Sequence, residues 1–208
     1  ILQQNDNPMQ RLEFAVRTLE EFLGLPFPRR TAVLQYAGKS DSAHNIDTSI
    51  LMPEDLYSTH GGPIEHEAAH WMDWGDQKWT KEGGANFLQG VILSRKQSLP
   101  LSSYVDSGSV ERACEPFGIR TIKQLIDAGS KDTNFCPYTL GSYFFSLLFE
   151  SMGADPFTGA WTELITTSGN NAIPEEVVYS TFLRHTPPGK VENVKGIYRQ
   201  WHGGDFVR

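Results

Sequence analysis

His66-Glu67-Ala68-Ala69-His70 combines residue types and spacing suited to chemistry. On an α-helix, residues four apart lie on one face, one turn above the other. Two imidazoles so placed can close on a single metal ion without bending the backbone. Glu67, beside the first of them, can reach a water on that ion. The pattern H-E-x-x-H therefore reads as two zinc ligands and a general base. A catalytic zinc takes a third protein ligand and leaves one position for water. Glu82, twelve positions beyond His70 in Trp79-Thr80-Lys81-Glu82-Gly83-Gly84-Ala85-Asn86-Phe87, can supply it from a second helix.

Taken together, H-E-x-x-H-W and W-x-x-E-G-x-A-x-F resemble the gluzincin metallopeptidases. The likeness is to the catalytic domain of the M1 aminopeptidases and to the peptidase MA-like domains related to them. Tyr138-Thr139-Leu140-Gly141 and the apolar run after it are similar to the family's Y-x-x-G helix. The three matches extend from Pro63 to about Leu164. The resemblance implies a thermolysin-like arrangement around the H-E-x-x-H helix and a Zn2+ ion held by His66, His70 and Glu82. It also implies a peptide or protein substrate, Glu67 as general base and Tyr138 as the group that steadies the oxyanion. The link between His70 and Glu82 is shorter than is typical of the M1 enzymes. Those exopeptidases also carry a G-x-M-E-N segment whose glutamate grips the substrate amine. Here Ser42-Ala43-His44-Asn45 offers no glutamate, so the expectation is a zinc-dependent peptidase rather than an aminopeptidase. An M1-like aminopeptidase and a zinc-bearing peptide-binding domain without turnover are the alternatives.

The elements that must position these residues follow from periodicity. Asn7-Pro8 reads as an N-cap with proline in the first turn, and Leu12, Ala15, Val16, Leu19, Phe22 and Leu23 repeat at helical spacing up to Gly24. Thr31–Ala37 and Thr48–Met52 read as short strands; the resemblance implies that the strand before the H-E-x-x-H helix, by position Ile46–Met52, walls the cleft and pairs with extended substrate. Tyr57–Gly62 is expected to be a loop. A helix over 63–74 ends at Gly75, and a second over 76–95 carries Glu82, with Asp76 as its cap. Gly83 and Gly84 each cost about 1 kcal/mol in a helix interior; a close approach between the two metal-bearing helices or a frayed first turn accounts for them. Pro100–Gly108 reads as loop. Helices are expected at Val110–Pro116, Thr121–Ala128, around Leu140–Met152, from Asp155, at Pro174–His185 and at Val191–His202. The fold class expected is α+β in one catalytic domain over 1–208. A small α/β part with a short sheet (1–62) precedes a mostly helical part (63–208).

Around the site, Trp71, Trp74 and Trp79 are expected in the core. Glu65 and Asp73 read as solvent-facing charges. Asn86, one turn beyond Glu82, is either an acceptor for a ligand histidine's second ring N–H or a plain surface amide. No spacing recruits His44, His60, His185 or His202 to the metal.

The whole chain sets bounds. Its 208 residues suffice for a real core. A net charge of −7 argues against nucleic acid or an anionic membrane as the main partner, and no apolar run reaches the roughly 20 residues of a membrane span. Opening at Ile1, the chain reads as a processed or truncated product whose targeting segment is out of view. Cys114 and Cys136 lie outside any C-x-x-C pair, and either a disulfide or two buried thiols fits. A disulfide would suit a secreted or extracytoplasmic protein.

Overall fold

A computed structural model describes residues 7–27, 33–36, 44–46, 49–52, 63–75, 77–129, 135–168 and 173–203. Helix α1 (Pro8–Leu23) starts at the Asn7 cap, whose side chain accepts from the Met9 N–H, and stops where Gly24 turns left-handed at φ 66°. Its buried stripe, Leu12, Ala15, Leu19 and Leu23, is the one its periodicity predicts. Three short strands follow: β1 (Val33–Tyr36), β2 (His44–Ile46) and β3 (Ser49–Met52). They form one sheet of order β1-β3-β2, with β3 parallel to β1 and antiparallel to β2.

The α+β expectation is corrected here. Helix dominates the described residues, and the sheet is an appendage of three- and four-residue strands rather than a layer of the fold. From the sheet, Ile50 is buried in the core. The cleft-wall expectation also changes. Ser49–Met52 is the central strand with both edges taken, so its backbone has no free edge for a peptide. Strand β2, absent from the sequence reading as a separate strand, is an edge and lies against the next helix.

The helical body comprises α2 (Pro63–Ala69), α3 (Lys78–Gln97), α4 (Ser107–Cys114), α5 (Ile122–Ala128), α6 (Cys136–Met152), α7 (Ala154–Ser168), α8 (Glu175–His185) and α9 (Val191–His202). Pro100–Gly108 is not simply loop: Leu101–Ser103 make a 3-10 turn, and Asp106 caps α4 by accepting from the Ser109 N–H. Thr121 and Gln124 close a reciprocal cap on α5. Tyr57–Gly62, His60 and Asp76 lie outside the described residues.

The core is aromatic. Phe87, Phe144, Phe145, Phe157, Trp161 and Phe182 are fully buried where α3, α6, α7 and α8 meet, with rings at the edge-on and tilted angles that aromatic pairs prefer. Trp71, Trp74 and Trp79 are buried as expected.

The closest backbone approach joins α3 to α6. A Cβ on Gly83 would stand 2.6 Å from Gly141 Cα, and one on Gly141 would run into the Trp79 carbonyl oxygen. Both positions must therefore lack a side chain. The expected close approach between the two metal-bearing helices does not account for these glycines: Gly83 meets α6, and Gly84 makes room for the Trp161 ring. Cys114 and Cys136 are bridged, tying the end of α4 to the start of α6. Closing a loop of 22 residues is worth roughly 3 kcal/mol in the chain-entropy account.

Candidate metal centre

Pro63 starts α2, and Glu65, His66, Glu67 and His70 follow within two turns. The α-helix tightens to 3-10 geometry over His70–Met72 and ends at Asp73, not at Gly75 as its sequence suggested. That early stop is what makes the short link to Glu82 work. Helix α3 begins at Lys78, so Glu82 sits in its second turn beside the histidines. Two contacts hold α2 in place. The guanidinium of Arg11 on α1 meets Glu65 through Nε–Oε1 at 3.0 Å and Nη2–Oε2 at 2.6 Å, with both side chains buried. The Trp161 indole on α7 donates to the Met72 carbonyl at 3.0 Å. Glu65 is thus a buried anchor and not the solvent-facing charge expected of it. Removing one partner of such a buried pair typically costs about 3–5 kcal/mol.

The predicted ligand atoms converge. His66 Nε2 lies 3.3 Å and His70 Nε2 3.4 Å from the same oxygen, Glu82 Oε2. An ion with bonds of about 2.0–2.1 Å in tetrahedral geometry places neighbouring donors about 3.3 Å apart, so this donor set fits zinc in both chemistry and spacing. Glu67 also has a carboxylate oxygen within 4.8 Å of the donor atoms of both histidines. Two carboxylates, Glu82 and Glu67, therefore lie close to both histidines. Tyr138, in the first turn of α6, stacks on the His66 ring with centroids 5.7 Å apart. The Glu82 carboxylate lies close enough to Tyr138 for its charge to be felt there. The Gly83–Gly141 contact explains that proximity, since Glu82 adjoins one glycine and Tyr138 precedes the other by one turn.

Asp73 is the residue that sequence reasoning missed. Its Oδ2 accepts from His70 Nδ1 at 2.9 Å, largely shielded from solvent. This is the arrangement in which a ligand histidine's outer nitrogen is fixed by a carboxylate, leaving Nε2 to face the ion. The signal available was its place three residues after the second histidine, which a helix or 3-10 turn brings onto the same side. Asn86 does not take that part; its amide points to Ser142 Oγ at 3.4 Å.

The electrostatics are those of a place built for positive charge. Burial pushes His70 toward the neutral form, but its hydrogen bonds to Asp73 and Glu82 and their negative charges outweigh that and raise its pKa to about 9. For Glu82, burial favours protonation, yet hydrogen bonds from His66 and His70 win and hold the carboxyl well below the usual carboxylate range. Burial raises Asp73, with His70 opposing. Tyr138 is pushed up to about 12 by burial and by the Glu82 charge, so it keeps its proton as a donor at neutral pH.

No protein-family model matches the chain, and no curated protein does. Solved structures do match. An M1 zinc metallopeptidase from Deinococcus radiodurans superposes with a TM-score of 0.70 at 15% identity, over 97% of this chain and 45% of that one. A two-domain M1 zinc metallopeptidase point mutant bound to L-arginine matches with a TM-score of 0.70 at 14% identity over the same shares. A point mutant from Deinococcus radiodurans bound to a Tyr-Ser-Ala substrate gives 0.68 at 14% identity, over 91% of this chain and 43% of that one. The chain therefore has the fold of part of the M1 zinc metallopeptidases and spans less than half of their length.

Proposed function

We propose that this chain is a zinc-dependent peptidase, with His66, His70 and Glu82 as metal ligands and Glu67 as general base. The observation that carries the reading is the convergence of the two Nε2 atoms on Glu82 Oε2 at 3.3 and 3.4 Å, with a second carboxylate close by. A structural zinc site would have no use for Glu67 or for a protonated tyrosine at its edge. The fold likeness to M1 zinc metallopeptidases supports the same class.

Zinc on these ligands would lower the pKa of water to about 7 and polarise the scissile carbonyl. Glu67 accepts a proton from the attacking water and passes it to the leaving amine, which departs neutral. Asp73 holds the His70 ring so that Nε2 keeps its lone pair for the ion. The Tyr138 hydroxyl donates to the carbonyl oxygen as negative charge develops there. The substrate is a peptide or protein, and the bridged cysteines favour an extracytoplasmic setting.

The deciding experiment is Glu67→Gln in zinc-reconstituted protein. Zinc content should stay at the unsubstituted level while peptide hydrolysis falls by about 100- to 10,000-fold. Comparable turnover in the variant would remove Glu67 from the reaction. An unsubstituted, zinc-loaded chain that cleaves nothing in a broad peptide library would favour the binding-domain alternative. Analysis of the fragments would separate internal from terminal cleavage.

A further inference from the structure

Two of the most exposed large apolar side chains among the described residues, Phe135 (71% exposed) and Phe117 (43%), line the same groove. A single exposed phenylalanine is ordinary; two on one concave surface beside a candidate active site are not. The groove holds about 530 Å³ and is completed by Ser109, Arg112, Pro116 and Thr139, a size ordinary for a ligand site. One wall comes from α4 and the 3-10 turn after it, the other from the start of α6. The buried Cys114–Cys136 bridge joins those two walls covalently, so the groove is preformed.

One residue of the groove also touches a residue beside the metal centre. The Phe135 ring meets Tyr138 edge-on with centroids 5.8 Å apart, and Tyr138 in turn stacks on His66 at 5.7 Å. A stretch of about three extended residues covers that distance. Arg112 is held on the wall by its Nη2 bond to Ser109 Oγ at 2.9 Å. A guanidinium on the wall can lie over the face of an aromatic ring. Two aromatic walls and one guanidinium select an aromatic side chain beyond what apolar area alone would give.

We infer that this groove receives an aromatic side chain of the peptide substrate, placed within about three residues of the scissile bond. The inference rests on the peptidase reading for the identity of the chain that enters. The test uses zinc-treated Glu67→Gln protein, titrated by NMR with acetylated, amidated Ala-Gly heptapeptides carrying one Phe at each position in turn, and with the Phe-free parent peptide. At least one Phe peptide should bind about 10-fold or more tighter than the parent. The double substitution Phe117→Ser with Phe135→Ser should abolish that preference, with melting temperature and zinc content measured beside it to show that the variant is folded and loaded. The inference is overturned if no position of Phe improves binding, or if the preference survives the double substitution. Hydrolysis of the same peptides by the unsubstituted chain is a separate readout. A binding preference without cleavage would leave the groove standing and sink the peptidase reading; cleavage indifferent to Phe would do the reverse.

Discussion

Two histidines, each beside acidic residues, pack against α3 and have opposite characters. His70 faces Asp73 at 2.9 Å and Glu82 at 3.4 Å. His202, at the end of α9, has Nδ1 3.8 Å from Glu175 Oε2 and rings of Trp79, Phe144 and Tyr198 packed around it. Burial pushes both toward neutrality. At His70 the carboxylates win and its pKa rises to about 9, whereas at His202 burial prevails and takes it down to about 4. Trp79 belongs to both regions, since it packs on His202 and precedes Glu82 by one turn of α3. A histidine near a glutamate is thus no indication of a metal site. What distinguishes the first region is convergence, with several donor atoms within bonding reach of a common point.

Three substitutions sharpen that contrast. The largest effect is expected at the reacting atoms. Tyr138→Phe should lower kcat by about 100- to 1000-fold with little change in KM, because its hydroxyl meets charge that develops only in the transition state. Steady-state kinetics at full zinc occupancy check this, and a fall below about threefold would mean that the ring merely packs on His66. A smaller effect belongs to the positioning carboxylate. Asp73→Asn should weaken zinc affinity by about 10- to 100-fold, measured against a competing chelator; unchanged affinity would reduce the 2.9 Å contact to a bystander.

The smallest effect on the site comes from the other region. His202→Gln should leave zinc content unchanged and alter only the pH dependence of stability. In the unfolded chain this imidazole takes up a proton near pH 6.5, whereas in the fold it resists until about pH 4. The unfolded state therefore binds more protons in that window. Stability is fully present above about pH 6.5 and declines as pH falls toward 4, by a contribution on the order of 3 kcal/mol. Denaturant unfolding at pH 7.5 and pH 4.5 should show a loss in the unsubstituted chain that is much reduced in the variant. Equal losses in both would show that His202 is not the group responsible.

These contrasts also show what the sequence could and could not disclose. The proximity of His66 and His70 was legible because helical spacing turns a short pattern into a geometry, and Glu82, singled out by its motif, lies beside both. The helices were legible for the same reason: α1 and α9 begin and end within a residue or two of their caps. The balance of the fold was not. Apolar runs at Thr31–Ala37 and Thr48–Met52 suggest a small α/β part with a short sheet, yet helix dominates the described residues and the core is filled by rings from helices distant in sequence. Glu65 and Asp73 resemble surface charges because nothing local announces a partner 54 residues away in Arg11 or a helix that tightens at His70. Gly83 called for a close neighbour, but its identity, Gly141, depends on how α3 and α6 cross.

The most direct test of the central claim is the metal content of purified protein after exposure to zinc and removal of the excess. The account predicts about one zinc per chain, with most of it lost in His66→Ala and none lost in His202→Gln. A chain that retains no zinc, or a His66→Ala variant that retains all of it, would contradict the account.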